Sequence, residues 1–495
     1  MSAPRPIAVV LEGPPTPAWQ ARALAGFEAS DALEVVALHL VGGARRGIAQ
    51  RLHGAGERHI FTVGDDPHAP IRVEARVTDA PATLVVWLVE RPPPDDEPRE
   101  LLWLHHEGLA EPVEDAFRRA LLSGSPCLVS EVMLRAGTST VVVARTVSAV
   151  GPYSEAVSRT LALWKLAALL PRAVERLPGL DELAAAPEQM HPPPPPSRAR
   201  LLMRDLASWL RAPARRLVFR RPWRIRVRER ADAPTRGWER ENGLVRWGDA
   251  LVYADPFIFE HDGRHHLFCE EVPRGSKQGV ISHTELRVDG TPAETPTPVL
   301  QAPYHLSYPC VFAHEGEIFM IPETGTVRRI ELYRAVSFPD AWEREAILVD
   351  DIGAVDTTLF EHGGRLWLFT AVAASGASYS DELHLFWAEA PRGPWQAHPG
   401  NPVVSDVRGA RPAGAIQRWG PRLVRPAQDC SRRYGWAVSF REIDVLTDTA
   451  YGEHEIDRLE PANLADARAT HTYAADGRFE AVDLRQRELR LRRGA

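Results

Sequence analysis

The chain has 495 residues, of which 44% are apolar and 25% charged, and its net charge is −7. This length predicts two or more domains, the composition is that of a soluble globular protein, and the acidic balance argues against a nucleic-acid partner. Four widely spaced cysteines without metal-ligand spacing favour a reducing compartment and give no support for a metal site. Because no run reaches about 18 apolar residues and no secretory leader is recognisable, we expect a cytoplasmic protein.

Strands and helices alternate in the first third of the chain. Apolar runs predict strands at 5–12, 33–40, 83–89, 101–104 and 141–146. Helical spacing predicts helices at 19–27, 114–122 and 154–177. This alternation indicates an α/β domain over residues 1–177 with a mainly parallel sheet. No Gly-x-Gly-x-x-Gly motif follows the first strand, so the sequence does not support a dinucleotide site.

The strand order and the segment 104–108, which contains His105 and His106 and precedes a helix, resemble a degenerate formyltransferase-like domain over about residues 1–165. Formyltransferases use an Asn, a His and an Asp in a folate-binding cleft, and here the motif around the Asn is missing. One of the two histidines could stand for the formyltransferase His, or both could be structural. We therefore expect no folate site. The domain binds another ligand or partner, or braces the rest of the chain.

A linker is predicted over residues 178–221. It contains a proline run at 192–196, a helical pattern at 201–210 and a basic run at 215–221. The prolines favour an extended spacer, with recognition by a proline-binding module as the alternative. The basic residues suit a solvated linker or edge strand. Alternatively, residues 215–228 contact an anionic membrane surface, which would place the protein at the inner face of the membrane.

A pattern with a period of roughly 50 residues runs through the C-terminal half. Counting from Asp255, an aliphatic follows at plus three (Ile258), an aromatic at plus four (Phe259) and a glycine at plus eight (Gly263). Further copies start at Tyr308, Asp356, Pro412 and Ala469. Each copy combines short strands with a glycine-containing turn, which predicts an all-β five-bladed β-propeller over residues 222–495. The alternating stretch 223–228 is expected to complete the last blade, with its arginines on one face.

The start of each repeat carries the candidate catalytic residues. In a propeller the first strand of every blade lines the central channel, so Asp255 and Asp356 should point towards one cavity. Two carboxylates in one polar pocket suit general acid–base chemistry on a sugar. The alternative is that each aspartate caps a turn or pairs with an arginine. Glu323 and Glu270 share the plus-fifteen position, and Glu323 is the better candidate to border the pocket because a proline precedes it.

Residues 253–256 with Gly263 resemble the first blade of the five-bladed furanosidase-type glycoside hydrolases, such as arabinanases and β-xylosidases. The resemblance implies that Asp255 is the general base and that Asp356 orients the substrate and tunes the acid. The acid of those hydrolases is a glutamate on the fourth blade. Here that strand begins at 411–414 without a glutamate.

The C-terminal half more closely resembles the N-terminal propeller family of the glucosamine inositolphosphorylceramide transferases and its bacterial relatives. The matching segments span about 223–490 and are 253–271, 307–309, 321–324, 355–360, 411–414, 425–430, 434–435 and 471–473. From this likeness we expect a carbohydrate-active protein. The likeness does not define the reaction, because fold and function separate readily.

Arginines near the aspartates favour transfer over hydrolysis. Arg411 and Arg425 could each hold a diphosphate by two parallel hydrogen bonds, or could instead form salt bridges with the aspartates. A glycosyltransferase needs a base for the acceptor hydroxyl and cations for the departing diphosphate, but no acid. Further residues predicted to bind substrate are Tyr308, Gln428, Asp429 and His471.

We therefore predict a glycosyltransferase that acts on a cell-surface glycan or glycolipid precursor, with a nucleotide sugar as donor and no other cofactor. One alternative is a furanosidase-type hydrolase, which a cytoplasmic location disfavours. Another is a non-catalytic sugar-binding propeller. The last would gain support if the two aspartates lay more than about 10 Å apart or were buried in salt bridges.

Overall fold

The computed structural model describes residues 3–42, 65–109, 111–151, 155–177, 199–200, 203, 219–220, 222–238, 250–486 and 488–489. The chain divides into two compact units, Met1–Trp209 with Ala374–Ser378, and Leu210–Ala373 with Tyr379–Ala495. The division at 209–210 falls inside the linker predicted over 178–221. The proline run and most of the predicted linker helix and basic run lie outside the described residues.

A seven-stranded mixed sheet with the order β5-β3-β1-β6-β7-β8-β9 forms the centre of the first unit. Its strands are β1 (Arg5–Glu12), β3 (Leu33–Val41), β5 (Arg76–Val77), β6 (Leu84–Trp87), β7 (Glu100–His106), β8 (Cys127–Ala136) and β9 (Ser139–Ala149). A small ribbon consists of β2 (Thr16–Pro17) and β4 (Pro70–Ile71), and the helices are α1 (Ala18–Glu28), α2 (Val113–Ser123) and α3 (Glu155–Glu175). The pairs β3–β1, β1–β6 and β6–β7 are parallel, whereas β3–β5, β7–β8 and β8–β9 are antiparallel. The sheet is therefore evenly mixed, and the prediction of a mainly parallel sheet was wrong.

The two histidines of the formyltransferase-like motif are buried at the end of β7. Burial lowers the pKa of His105 to about 4 and that of His106 to about 3, so both imidazoles are neutral at pH 7. The Nδ1 atom of His106 lies 2.8 Å from the hydroxyl of Ser130. This environment fits structural histidines, and the absence of a folate site stays a prediction. Among the described residues, no helix is both long enough and apolar enough to cross a membrane.

Five blades form the β-propeller of the second unit, which confirms the prediction from the repeat. Blade one contains β12 (Val252–His261), β13 (Arg264–Val272), β14 (Val280–Leu286) and β15 (Thr297–Leu300). Blade two contains β16 (Ser307–His314), β17 (Glu317–Glu323), β18 (Ile330–Ser337) and β19 (Ala341–Val349). Blade three contains β20 (Ala354–His362), β21 (Arg365–Val372), β22 (Glu382–Ala388), β23 (Gln396–Ala397) and β24 (Val404–Ser405).

The last two blades differ from the first three in their innermost strands. Blade four contains β25 (Arg411–Pro412), β26 (Gln417–Trp419), β27 (Arg422–Asp429), β28 (Ala437–Leu446) and β29 (Tyr451–Leu459). Blade five contains β30 (Tyr473–Ala475), β31 (Phe479–Arg485) and an early strand, β11 (Trp223–Glu229). Two short strands flank this blade in the chain: β10 (Phe219–Arg220) precedes β11, and β32 (Glu488–Leu489) follows β31. β10 and β32 pair with each other antiparallel. The second strand of each of the first four blades buries residues of both faces, because each blade is covered on both sides.

The ring closes through β11, which pairs antiparallel with β31 along its whole length. Arg226 is buried and donates a hydrogen bond to the carbonyl oxygen of Trp238 at 2.7 Å. Arg228 donates to the carboxylate of Glu480 at 2.6 Å. The predicted closing strand is therefore confirmed, and two of its arginines are held within the protein. Most of the remaining basic run, 215–218 and 221, lies outside the described residues.

Tight turns between the first two strands of a blade contain the repeated glycines. In blade one Asp262 and Gly263 have φ values of 50° and 70°, and in blade three Gly363 and Gly364 have 62° and 74°. Two consecutive residues with positive φ define the hairpin turn whose twist matches that of the flanking strands. The predicted turns at 261–264 and 362–365 are confirmed.

The first residue of the repeat has an unusual backbone conformation in the first three blades. Asp255, Tyr308 and Asp356 have φ values of 50°, 47° and 52°, and the strand register shifts at each of them. Such bulges re-aim side chains, and each left-handed residue costs about 1–3 kcal/mol. Pro412 and Ala469 do not share this geometry. Proline cannot adopt a positive φ, and Ala469 lies before β30, so the predicted equivalence holds for three repeats rather than five.

Candidate functional site

Asp255 lies at the start of the innermost strand of blade one and is 5% exposed. Its Oδ1 atom accepts a hydrogen bond from the hydroxyl of Thr472 at 2.8 Å and lies 3.5 Å from Nε2 of His471. Burial raises the pKa of Asp255 to about 7, against the opposing effect of His471 and with further contributions from neighbouring carboxylates. Asp255 therefore changes charge near neutral pH.

His471 lies between two aspartates. Its Nδ1 atom is 2.5 Å from Oδ2 of Asp483, while Nε2 faces Asp255. Although burial opposes protonation, Asp483 and Asp255 raise the pKa of His471 to about 9, so the imidazole is a cation at neutral pH. His471 was predicted to bind substrate, and the structure places it directly behind the candidate base.

Aromatic rings hold this histidine in place. The ring of Trp223, from the closing strand β11, stacks on His471 with centroids 4.1 Å apart. Tyr434 meets the same imidazole edge-on at 5.3 Å, and the guanidinium of Arg411 lies 5.0 Å from the centre of the Tyr434 ring. Tyr434 is also 45% exposed, so it presents an aromatic surface to solvent beside the buried charges.

Asp356, at the equivalent position of blade three, has a different set of partners. Arg411 donates to both of its carboxylate oxygens, at 2.6 and 3.2 Å, and the amide of Gln428 donates to Oδ2 at 2.6 Å. This fork-like pair is the salt bridge that the sequence left open as an alternative. Two fixed donors hold the Asp356 carboxylate in one orientation.

Glu323 joins the same cluster from the end of β17. Its side chain is 14% exposed, and Oε2 lies 3.7 Å from a guanidinium nitrogen of Arg411. Burial and the adjacent Asp356 raise the pKa of Glu323 well above its usual range. The site therefore contains a carboxyl group with a raised pKa on blade two, although the inner strand of blade four lacks the glutamate of the furanosidase pattern.

The two aspartates belong to one electrostatic system. Asp356 is among the groups that raise the pKa of Asp255, and Glu323 responds to both aspartates. Glu270, at the position of blade one that matches Glu323, also raises the pKa of Asp255 and lies 3.3 Å from His305. The predicted convergence of Asp255, Asp356 and Glu323 is thus visible in their mutual effects.

Tyr308 holds the repeat position in blade two but is fully buried. Its hydroxyl lies 2.7 Å from that of Thr358 and accepts the backbone N–H of Gly414 at 2.6 Å. These bonds tie blades two, three and four together around the channel. The structure assigns Tyr308 this structural contact, and its predicted contact with substrate remains a prediction.

Two residues predicted for the pocket lie elsewhere in blade four. Arg425 donates to both carboxylate oxygens of Glu453, at 2.8 and 2.7 Å, and Asp429 pairs with Arg458. Side chains alternate along a strand, so Arg425 and Asp429 share one face of β27 and Gln428 lies on the other. Of these three residues of β27, Gln428 is the one that forms a hydrogen bond with Asp356.

Asp255, His471 and Asp483 offer ligand atoms within 4.8 Å of one another, which is close enough for a metal ion. The two imidazole nitrogens of His471 nevertheless lie 2.5 and 3.5 Å from carboxylate oxygens, which places them as ion-pair partners of Asp483 and Asp255. In the arrangement described, the histidine itself supplies the positive charge between the two carboxylates.

Sequence reasoning missed Asp483 and the part played by Trp223. Asp483 is fully buried on strand β31, which also contains Glu480 and Arg485, and Trp223 was considered only as part of a closing strand. The sequence of β31 therefore did not single out Asp483, because its partners are brought to it only by the fold.

Residues 248–487 match the family model described as glucosamine inositolphosphorylceramide transferase 1, N-terminal. A protein of that name from Oryza sativa subsp. japonica is 35% identical over 203 residues, covering 40% of this chain and 27% of that protein. Its counterpart from Arabidopsis thaliana is 33% identical over 206 residues, covering 41% and 27%. The chain thus spans about a quarter of the relatives it matches. The match supports the resemblance drawn from the propeller motifs and does not reach the residues before 248.

Solved structures show weaker likeness. The catalytic domain of a family 62 α-L-arabinofuranosidase from Coprinopsis cinerea is 12% identical, with a TM-score of 0.36, and 53% of this chain covers 97% of it. A family 117 glycoside hydrolase from Zobellia galactanivorans is 12% identical, with a TM-score of 0.34, and 52% of this chain covers 90% of it. Likeness at this level carries no conclusion about activity.

Proposed function

We propose that the propeller is the carbohydrate-processing part of a glycosyltransferase that modifies a cell-surface glycan or glycolipid precursor. The names of the matched relatives support a transferase, and the inositolphosphorylceramide in those names supports a glycolipid acceptor. We further propose a nucleotide sugar as donor and a cytoplasmic setting at the inner face of the membrane. No role for nucleic acid is proposed.

The observation that carries this proposal is the state of Asp255. A general base works best when its pKa lies near the working pH, and the pKa of Asp255 is about 7 in a buried, strained position at the start of an inner strand. Oδ1 is occupied by Thr472, whereas within the described residues Oδ2 accepts no hydrogen bond. Oδ2 is therefore the atom that can receive a proton from a sugar hydroxyl.

Each group then has a role in transfer. Asp255 takes the proton of the acceptor hydroxyl as the acceptor oxygen bonds to the anomeric carbon of the donor, and the diphosphate leaves with the bonding electrons. Asp356, held by Arg411 and Gln428, orients hydroxyls of the bound sugar. Glu323, whose pKa burial and Asp356 raise, holds its proton more tightly than an ordinary carboxyl group and can donate a hydrogen bond to the bound sugar.

The ion pairs change the part that we give to the arginines. Arg411 is neutralised by Asp356, and Arg425 by Glu453, so neither is a free cation awaiting a diphosphate. We therefore assign Arg411 the task of fixing Asp356 and do not assign Arg425 to the donor site.

A sugar-binding propeller is the second candidate, and two observations favour it. Both aspartates lie in buried ion-pair contacts, Asp255 with His471 and Asp356 with Arg411. In addition, the match covers only 27% of the relatives, so their transfer chemistry could reside in the remainder. In this account, the aspartates hold sugar hydroxyls without reacting.

One experiment separates these accounts. The full chain is incubated with nucleotide-activated glucosamine or N-acetylglucosamine and an inositol-phosphate glycolipid, and the products are analysed by mass spectrometry. A glycosylated lipid supports transfer, whereas free pentose released from an arabinan or xylan incubated in parallel supports the furanosidase-type alternative. Glycolipid binding by calorimetry, without turnover of any donor in a broader nucleotide-sugar panel, would leave the sugar-binding propeller.

A further inference from the structure

Asp483 is a fully buried carboxylate whose partners come from both sides of the ring closure. Its Oδ1 accepts the backbone N–H groups of His471 and Thr472, at 2.9 and 3.1 Å. Its Oδ2 accepts the backbone N–H of Asp255 at 3.1 Å and contacts Nδ1 of His471. One side chain thus fixes the backbone of the candidate base and the imidazole beside it.

The imidazole has little freedom to turn. Trp223 covers one face of His471, Tyr434 meets it edge-on, and each nitrogen faces a carboxylate oxygen. Rotation of the ring would break the contact with Asp483 and move Nε2 away from Asp255. Nε2 thus stays 3.5 Å from Oδ1, and among the described residues Oδ2 accepts no hydrogen bond and can face a substrate.

We propose that Asp483 and His471 are positioning residues that together hold Asp255 in its reactive orientation and keep its carboxylate ionised. The inference rests on the proposed function only in taking Asp255 to be the base. His471 keeps its proton throughout. The acceptor's proton moves to Oδ2 of Asp255 and is released to water after the product leaves.

The surrounding charges explain why a cation is needed there. Burial disfavours an ionised Asp255, and Glu270, Asp356 and Asp483 disfavour it further, whereas His471 favours it. Other titratable groups that interact with Asp255 or His471 are Cys269, His305, Glu323 and Tyr434. Without the imidazolium, the pKa of Asp255 would rise further, and a smaller fraction of the carboxylate would be free to accept a proton at neutral pH.

The test measures protonation directly and needs no substrate. The full chain is labelled with ¹³C and ¹⁵N at histidine and at aspartate carboxyl groups, and NMR titrations are recorded from pH 5 to 10. The signals are assigned by their loss in His471→Gln and Asp255→Asn. We expect His471 to stay protonated to about pH 9 and Asp255 to titrate at about pH 7.

Three variants then test the direction of each effect. Asp483→Asn should move the titration of His471 downward, towards the ordinary value of 6.5. His471→Gln should move the titration of Asp255 upward, because the favourable cation is lost. Glu270→Gln, as a matched control, removes a negative neighbour and should move the titration of Asp255 downward. Opposite shifts from two Gln substitutions would not arise from general loosening of the site.

The proposal fails if His471 in the unaltered chain titrates near 6.5, or if His471→Gln leaves the midpoint of Asp255 unchanged. The first measurement requires no folded variant, so the proposal stays testable if Asp483→Asn does not fold. The outcomes also separate the two proposals. Confirmed protonation states with no sugar turnover would remove the proposed transfer reaction and retain the positioning of Asp255.

Discussion

Asp255 and Asp356 occupy the same position of two repeats, with nearly the same φ, yet their surroundings differ. Asp255 faces a histidine and a threonine and shares its pocket with other carboxylates. Asp356 accepts hydrogen bonds from Arg411 and Gln428. The repeat therefore fixes where a carboxylate points, and the neighbouring blades determine which groups it contacts.

The largest expected effect concerns turnover. Asp255→Asn should lower the rate of transfer by about 10²–10⁴-fold, because the acceptor hydroxyl loses its base. The rate is measured with a donor and acceptor found by the product screen, and folding is checked by thermal melting. Asp429→Asn is the control, since that buried aspartate pairs with Arg458 in blade four. Full activity in folded Asp255→Asn would end the distinction between the two aspartates.

Stability should depend more on the contacts of Asp356 than on the Asp255 carboxylate. Arg411→Met leaves Asp356 buried without its cation, so the free energy of unfolding in urea should fall by about 3–5 kcal/mol. Asp255→Asn should retain or gain stability, because it replaces a carboxyl group whose ionisation burial opposes. Arg425→Met, which breaks a buried pair outside the site, should destabilise similarly without changing sugar binding. Equal losses in Arg411→Met and Asp255→Asn would contradict the comparison.

Tyr308 holds the repeat position in blade two, and its substitution should have a smaller effect on stability. Tyr308→Phe removes the hydroxyl that accepts the N–H of Gly414, so the free energy of unfolding should fall by about 1–3 kcal/mol. Sugar affinity, measured by calorimetry, should stay the same if Tyr308 only joins blades. A large loss of affinity in a well-folded variant would instead restore its predicted contact with substrate.

The pH dependence of stability should be a gradual effect, spread over more than two pH units. The folded-state pKa values of His471 and Asp255 are raised to about 9 and about 7, so the folded chain binds their protons more tightly than the unfolded chain. The contribution of His471 is complete below 6.5 and is lost as pH rises through about 9. The free energy of unfolding should therefore decline over this range, by at most about 1.4 kcal/mol per pH unit for one proton. His471→Gln should flatten the decline, and an unchanged slope would count against a protonated His471.

The sequence allowed the propeller to be predicted because its hairpins repeat a pattern that each blade needs locally. It also identified Asp255, Asp356 and Glu323, since residues at equivalent strand ends converge in such a fold. The distinction between Gln428 and Arg425 was available too, because they are an odd number of residues apart on one strand. Asp483 could not be found through the repeat, since its importance depends on a contact across the ring closure.

The pairing of β11 with β31 also determines when the site can form during folding. Arg228 and Glu480, which pair across the joined strands, are 252 residues apart in the chain. During synthesis Asp255 leaves the ribosome early, but Asp483 is among the last propeller residues to emerge. Long-range pairing of this kind is slow to form and comes late in folding. A partly made chain would therefore contain Asp255 and Trp223 without His471 and Asp483, and would be inactive until the ring is complete.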